Sequence, residues 1–404
     1  MKKFVSLKGF IPLFVALGIA CNPSDTQFTD DEVTGAPSPE LPTPAPEPDS
    51  APSPGYPAPE PEEPTPAPED PVVEPESPIA QPQDPVVENE SPVVQPEAPV
   101  EQAADPLAGL SACKVGIVAS FKEDPKALTG ESTEGYRVPQ DLLLATMRRS
   151  FDAFLAGDLK GATQYAQTAR YTLCRGTGTE ASIVFWQPPA REGQALVALR
   201  TGTARPVILE TPHPFFDGGT MDQGALMFQR LKARVLISAG THRCANRASS
   251  GCDGTSTACG GGAYRISDMA HTERSVYHVA HMALSEHFQD DWVLQLHGMG
   301  ASGVSVSDGT SLPTTPVSPS ARVALALSKA FSGVTTCNAF KGVATRNHMC
   351  GTSNTQARHL NGSPRACTTE GDGTSGRFIH LEQSSAVRKL PAKVADVLAT
   401  VLPL

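Results

Sequence analysis

Apolar and polar residues alternate over residues 292–297, and this run is the clearest secondary-structure signal in the chain. The alternation predicts a β-strand, and the His-Gly pair at its end predicts a turn where glycine lets backbone and ligand approach closely. His297 would then lie at the carboxyl tip of the strand, the end at which open α/β sheets bind their ligands.

Two other apolar runs end beside polar side chains in the same way. Residues 206–211 lead to His213 and Asp217, and residues 377–381 lead to Glu382. Parallel strands bring their carboxyl ends to one edge of a sheet, where the ligand crevice lies. The sequence therefore predicts a site built from three separate strand ends.

Strand and helix patterns alternate along the C-terminal three-quarters of the chain. Further strands are predicted at residues 115–120, 182–186, 195–200 and 234–238, and helices at residues 140–156, 222–231, 267–287, 322–331 and 384–401. This order predicts an α/β fold in three layers: a mixed, mostly parallel sheet with helices on both faces. The short Pro/Gly connection before residue 195 favours an antiparallel pair there. We expect one domain, residues 106–404.

The N-terminal residues predict export. Three lysines precede an apolar run at residues 10–20, which is too short to span a bilayer and typical of a secretory signal. Cys21 follows in a sequence that resembles a bacterial lipobox, although the preferred leucine stands one place too early. We expect residues 1–21 to be a lipoprotein signal and Cys21 a lipid anchor in the cell envelope, at the outer membrane. An ordinary signal peptide cut near Ala20 is the alternative.

Residues 22–105 consist largely of Pro, Glu, Ala, Ser and Val, with almost no aromatic side chains. Such a segment cannot bury enough apolar surface to offset its ordering entropy, so we expect a disordered linker. Its prolines favour polyproline II and its carboxylates repel one another. The predicted role is a stiff acidic spacer between membrane and folded domain.

Charge divides the chain at the same place. The spacer has 20 acidic side chains and no Lys or Arg, which leaves 23 acidic and 29 basic residues after it, although the whole protein is net −11. A mildly basic domain suits an anionic substrate, such as a carboxylate-bearing peptide or cell-wall fragment. Nucleic acid is a poor candidate partner, because no Lys/Arg block with interleaved aromatic residues is present.

Eight cysteines follow Cys21. In an exported protein an even number predicts up to four disulfides, whose pairing cannot be deduced from sequence. Zinc-ribbon coordination is the rival interpretation, but the chain has no Cys-x-x-Cys motif.

His213 and Asp217 lie four positions apart in a Gly/Pro-rich loop. Catalytic zinc takes three N or O ligands and keeps an open position, and such a loop can supply two of them. We expect His213, Asp217 and His297 to bind Zn²⁺. Each residue alone also has an ordinary explanation, His213 as a loop histidine bonded to backbone and Asp217 as a turn cap. Their joint placement at strand ends favours the metal.

Glu382 is the predicted general base, because a carboxylate can take a proton from the attacking water and pass it to the leaving nitrogen. A structural glutamate paired with Arg388 is the alternative. Arg265 and Arg358 are candidates for binding the substrate's carboxylate or the oxyanion. An ordinary polar loop explains the surroundings of Arg358 equally well.

The motifs at residues 212–220, 296–299 and 381–388 resemble, in order, those of the N-formylglutamate amidohydrolases and the phage-type poly-γ-glutamate hydrolases. Both families are similar to the zinc carboxypeptidase fold. The resemblance implies His213, Asp217 and His297 as zinc ligands and Glu382 as base. It further implies hydrolysis of an amide in an acidic N-acyl amino acid, or in a γ-glutamyl or peptidoglycan-like peptide. The sequence departs from the formylglutamate enzymes at Gly298, where they have serine.

A second histidine set lies within residues 267–287. His278 and His281 share one helical face with His271, but the glutamate of His-Glu-x-x-His is missing. We expect polar packing beside the site, with Asp268 and His271 placed to orient a metal ligand.

Two other functions stay open. Residues 297–300 resemble the oxyanion loop of lipase-type hydrolases, which would indicate a serine esterase, but the chain has no Gly-x-Ser-x-Gly elbow. The other alternative is a non-catalytic binding lipoprotein that keeps the hydrolase fold.

Overall fold

The structure, a computed structural model, describes residues 105–114, 135–189 and 192–404. The predicted lipoprotein signal, the spacer up to residue 104 and the strand predicted at residues 115–120 lie outside the described residues. Among the described helices, none combines the length and apolar character that a membrane crossing requires.

Ten strands of the described residues form one sheet, and two short strands pair separately. The strands are β1 Thr172–Arg175, β2 Ile183–Gln187, β3 Leu196–Arg200, β4 Arg205–Thr211, β5 Ala233–Ser238, β6 Thr255–Ser256, β7 Gly262–Ala263, β8 Trp292–Met299, β9 Val304–Ser307, β10 Val334–Thr336, β11 Ala344–Thr345 and β12 Phe378–Ser384. The sheet order is β1-β2-β3-β5-β4-β8-β12-β9-β10-β11.

The centre of the sheet is parallel. Strands β5, β4, β8 and β12 run in one direction, and β3, β2 and β1 extend one edge by antiparallel pairing. On the other side β9 is antiparallel to β12, and β10 and β11 continue parallel to β9. The predicted mixed, mostly parallel sheet is confirmed, as is the antiparallel pairing of β2 with β3.

Helices cover both faces of the sheet. They are α1 Asp141–Leu155, α2 Leu159–Thr168, α3 Thr220–Arg230, α4 Val276–His287, α5 Pro319–Ala330, α6 Thr355–Leu360, α7 Ser385–Arg388 and α8 Pro391–Ala399. One core contains apolar residues of α1, α2, α4 and α6, and the other contains those of α3, α5, α7 and α8. Strand residues alternate between the two cores, which confirms the predicted three layers.

The helix predicted over residues 267–287 is wrong in its first half. Met269–His271 forms a single 3₁₀ turn, and α4 begins only at Val276. Ser275 is extended, and its hydroxyl accepts a hydrogen bond from the backbone N–H of His278 at 3.1 Å. This N-cap fixes the start of the helix, because it satisfies an amide that lacks a partner within the first turn.

Two other predictions near the C-terminus are wrong. Residues 384–401 form two helices rather than one, because Pro391 has no N–H for a continuing helix and instead starts α8. Residues 354–361, interpreted as a loop, contain α6. Asn354 caps this helix by accepting a hydrogen bond from the backbone N–H of Ala357 at 2.9 Å.

The eight cysteines after Cys21 form four disulfides, which confirms the predicted disulfide bonding and leaves none of them for a zinc ribbon. The pairs are Cys113–Cys174, Cys244–Cys259, Cys252–Cys367 and Cys337–Cys350.

The strand register aligns polar side chains on one face of the central strands. Gln295 of β8 pairs with Glu210 of β4 and with His380 of β12, and one step further His297 pairs with Glu382. Because side chains two apart on a strand share a face, these five side chains form a polar track that ends at the carboxyl edge.

Candidate metal centre

His213, Asp217 and His297 meet at the carboxyl edge of the parallel strands. All three are buried, and one potential ligand atom from each lies within 4.8 Å of the others. Asp217 Oδ2 is 3.5 Å from His213 Nδ1 and 3.6 Å from His297 Nδ1. Two ligands of one tetrahedral zinc ion, bonded at about 2.1 Å, lie roughly 3.4 Å apart. The observed spacings therefore fit a single ion.

Two of these ligand atoms have no hydrogen-bond partner. His213 Nδ1 and Asp217 Oδ2 are buried and make no hydrogen bond, and the 3.5 Å between them is an ion pair only when His213 is protonated. Leaving such groups unpaired is costly, since each has given up its hydrogen bonds to water. A cation bonded to both atoms removes that cost. Two imidazole nitrogens and one carboxylate oxygen also form a donor set that catalytic zinc uses, so these residues fit the ion.

The other nitrogen of each imidazole, Nε2, makes a hydrogen bond on the side away from the candidate ligand atoms. His213 Nε2 lies 2.7 Å from Asp268 Oδ1, and His297 Nε2 lies 2.7 Å from Gln295 Oε1. Both acceptors favour a proton on Nε2, which leaves the Nδ1 lone pair for a metal. Asp268 is itself held by Arg243 and by His271 Nδ1.

The local charges favour a cation. Burial acts to raise the pKa of Asp217, but the imidazoles of His213 and His297 outweigh it and hold this pKa well below its usual range. Burial lowers the pKa of His297 to about 4, which keeps the ring neutral. Burial and Arg243 act to lower the pKa of His213, but Asp268 and Asp217 outweigh them and the pKa is raised. A proton on His213 competes directly with a metal.

Glu382 lies beside the three ligands. Its carboxyl is buried, its Oε2 has no hydrogen-bond partner, and Oε1 is 3.9 Å from His380 Nε2. Burial and then the negative charge of Asp217 raise the pKa of Glu382 to about 8. Arg388 does not neutralise it by direct contact, since its guanidinium donates to the carbonyls of Gly218 and Gln383. A carboxyl with such a pKa can accept and return a proton near neutral pH.

A cavity of about 320 Å³ opens onto these residues. Its lining includes His213, Arg243, Tyr264, His271, His297, His380 and Glu382. Sequence reasoning missed Arg243, whose guanidinium contacts Asp268 and lies over the Phe216 ring at 5.1 Å. Its position in the sequence could have indicated this: Arg243 follows β5, which is one of the four parallel strands and ends at the same edge of the sheet as the others.

The two arginines proposed from sequence lie elsewhere and are not part of the described cavity lining. Arg265 donates to the backbone carbonyls of Arg247, Cys259 and Gly261. Arg358 donates to the carbonyl of Thr352 and pairs with Asp253. Both guanidinium groups therefore tie loop segments together in this structure.

The second histidine set lies beneath the candidate metal centre. His281 Nδ1 is 2.7 Å from Glu210 Oε1, and His278 Nδ1 is 3.3 Å from Gln356 Nε2. Among the described residues, neither histidine belongs to a group that could hold a metal ion. They form buried polar packing, as expected, and Asp268 orients His213.

No protein-family model and no curated protein matches the chain. Among solved structures, the crystal structure of a "putative metallopeptidase" from Shewanella amazonensis SB2B is similar over 63% of this chain and 95% of that chain, with 13% sequence identity and a TM-score of 0.30. A likeness this distant establishes neither a shared fold nor a shared function. The site therefore has to be judged from its own side chains.

Proposed function

We propose that this protein is a zinc-dependent hydrolase of amide bonds. The observation that carries the proposal is the convergence of His213, Asp217 and His297: Asp217 Oδ2 lies 3.5 and 3.6 Å from the two histidine Nδ1 atoms, and two of the three atoms are buried without a hydrogen bond. The buried carboxyl of Glu382 beside them supplies the base that such a hydrolase needs.

Each residue has a defined role in this proposal. His213, Asp217 and His297 hold the ion, which when bound supplies a Lewis acid that polarises the amide carbonyl and activates water. Glu382 takes the proton of the attacking water and delivers it to the leaving nitrogen. All four side chains are buried, which strengthens the electrostatic effect of each charged group.

The proposed substrate is an acidic N-acyl amino acid, or a γ-glutamyl or peptidoglycan-like peptide. Support comes from Arg243 in the cavity lining: its Nε and Nη2 donate to Asp268, and its positive charge also favours a substrate carboxylate. The excess of basic over acidic residues after the spacer also favours an anionic substrate. Anchoring through lipidated Cys21 would place the reaction in the cell envelope, beside cell-wall peptides.

The serines of the cavity favour a metal over a serine nucleophile. Ser353 Oγ lies 2.8 Å from the Tyr264 hydroxyl, and Ser256 Oγ accepts the backbone N–H of Ala258 at 3.0 Å. A nucleophilic serine requires an adjacent base within hydrogen-bond reach, and these partners are not bases.

The test combines metal analysis with turnover of the purified protein. Wild type should carry one equivalent of zinc and hydrolyse N-acyl-glutamates or γ-glutamyl peptides faster than the matched carboxamide analogues. His297→Ala should lose zinc and activity, whereas Glu382→Gln should keep zinc and lose activity. His287→Ala, on the exposed end of α4, is the control and should change neither. Full turnover by Glu382→Gln would remove it as the base, and a wild type without bound zinc would refute the metal assignment.

A further inference from the structure

The amide of Gln295 lies directly beneath the proposed metal centre and is bonded on both sides. Its oxygen accepts hydrogen bonds from His297 Nε2 at 2.7 Å and from the side-chain amide of Asn354. Its nitrogen donates to Glu210 Oε2 at 2.9 Å and to Gln356 Oε1 at 3.3 Å. All of these groups are buried, so no bulk water can substitute for a lost partner.

The direction of this amide decides the tautomer of His297. Turning the amide by half a revolution exchanges its donor and acceptor sides, and His297 Nε2 would then face N–H groups and have to accept. A carboxylate accepts only. Glu210 presents one oxygen to His281 Nδ1 at 2.7 Å and the other to Gln295 at 2.9 Å. The Gln295 nitrogen must therefore face Glu210, and its oxygen must face His297.

We propose that Glu210 is a positioning residue for the metal centre. Acting through the amide of Gln295, its carboxylate holds His297 as the Nε2–H tautomer and leaves Nδ1 free to bind the ion. The inference rests on the zinc site proposed above and adds residues outside the cavity lining. It also shows how the two metal histidines differ: Asp268 orients His213 by direct contact, whereas Glu210 orients His297 through an intervening amide.

The Glu210→Gln variant tests this arrangement with almost no change in volume. Unlike a carboxylate, glutamine at position 210 can direct an N–H group at Gln295, so Glu210 no longer fixes the direction of the Gln295 amide and only the amides of Asn354 and Gln356 do. The turned amide, which presents its nitrogen to His297 and favours a proton on Nδ1, therefore becomes populated. The zinc dissociation constant of the purified full chain should rise about 10- to 100-fold, measured by competition with a chelator. In the zinc-free protein, ¹⁵N NMR of the His297 ring should shift from the Nε2–H to the Nδ1–H signature.

Exchanging the two side chains provides a rescue. In the double variant Glu210→Gln/Gln295→Glu, the carboxylate moves next to His297 and again accepts from Nε2. Zinc affinity and the Nε2–H signature should recover towards wild type. The matched control is Asp291→Asn, which makes the same chemical change immediately before the first residue of β8, where Asp291 pairs with Arg234 at 2.7 Å. It should leave both readouts unchanged.

Three outcomes overturn the inference. They are an unchanged tautomer and zinc affinity in Glu210→Gln, a loss that the double variant does not repair, and an Nδ1–H signature in the wild-type protein. The last measurement needs no variant, so it can overturn the inference even where Glu210→Gln does not fold. Since the tautomer is read without zinc, a wild type that binds no zinc refutes the proposed function while this measurement still stands.

Discussion

At the scale of single residues, Gly298 shows how closely the candidate metal centre is packed. A Cβ at this position would overlap the Arg388 guanidinium and lie 3.0 Å from Asp217 Cβ. Arg388 is held in place by the carbonyls of Gly218, at 2.8 Å, and Gln383. Glycine at this position therefore leaves room for the Arg388 side chain beside the loop that carries Asp217.

We expect Gly298→Ala to displace Arg388 and, with it, Asp217. Zinc affinity should fall about tenfold, the lower end of what changes around metal ligands produce. Gly300→Ala is the control, because a Cβ there has no neighbouring atom within 4 Å. Isothermal titration calorimetry measures the zinc affinity of both variants. Equal affinities would show that the space beside Gly298 is not needed for metal binding.

Sequence pattern located His213, Asp217, His297 and Glu382 because each follows or ends a recognisable apolar strand. An arginine in the cavity was harder to predict. The partners of Arg358 come from residues 253 and 352, and no local pattern shows that these segments meet. Arg243 was overlooked because, beside Cys244, it looks like any other polar loop residue.

At the scale of elements, periodicity predicted strands β2 to β5, β8 and β12, but it missed β1, β9, β10 and β11 and misplaced helix boundaries. Residues 267–287 have apolar positions compatible with one helix, but side chains near its start have other partners. Asp268 accepts hydrogen bonds from His213, Arg243 and His271, and this network requires a turn rather than a continuing helix. Such bonds join distant segments, so the boundary at Val276 depends on tertiary structure.

We expect Ser275→Ala to destabilise the protein by about 1 kcal/mol, because the first turn of α4 loses its cap. Urea denaturation followed by circular dichroism provides the measurement. Ser328→Ala, at an exposed position inside α5, is the control and should be neutral or slightly stabilising, since alanine is the better helix former. An equal effect of the two substitutions would show that the Ser275 cap contributes nothing.

At the scale of the whole molecule, the parallel centre of the sheet explains why a site forms at one edge. The three-layer α/β class was predictable, because helical and strand patterns alternate and the strands are apolar enough to be buried on both faces. The disulfide pairing was not predictable, since it depends on which loops meet after folding. Two of the bridges flank cavity residues: Cys244 follows Arg243, and Cys350 precedes Gly351.

The four disulfides should differ in their contribution to stability. Cys252–Cys367 closes a sequence separation of 115 residues, and Cys337–Cys350 closes one of 13. The chain-entropy relation assigns about 5 kcal/mol to the first and about 3 kcal/mol to the second. Paired alanine variants, compared by guanidinium denaturation, should follow that order. The reverse order would mean that the disulfides contribute to stability mainly through interactions in the native state and not by restricting the unfolded chain.

The proposed zinc ion is held by side chains from distant strand ends. Anomalous diffraction from crystals of the zinc-loaded protein at the zinc edge tests this most directly. We expect one strong peak at about 2.1 Å from His213 Nδ1, His297 Nδ1 and Asp217 Oδ2. A peak at any other group of side chains, or none in this cavity at saturating zinc, would contradict the account.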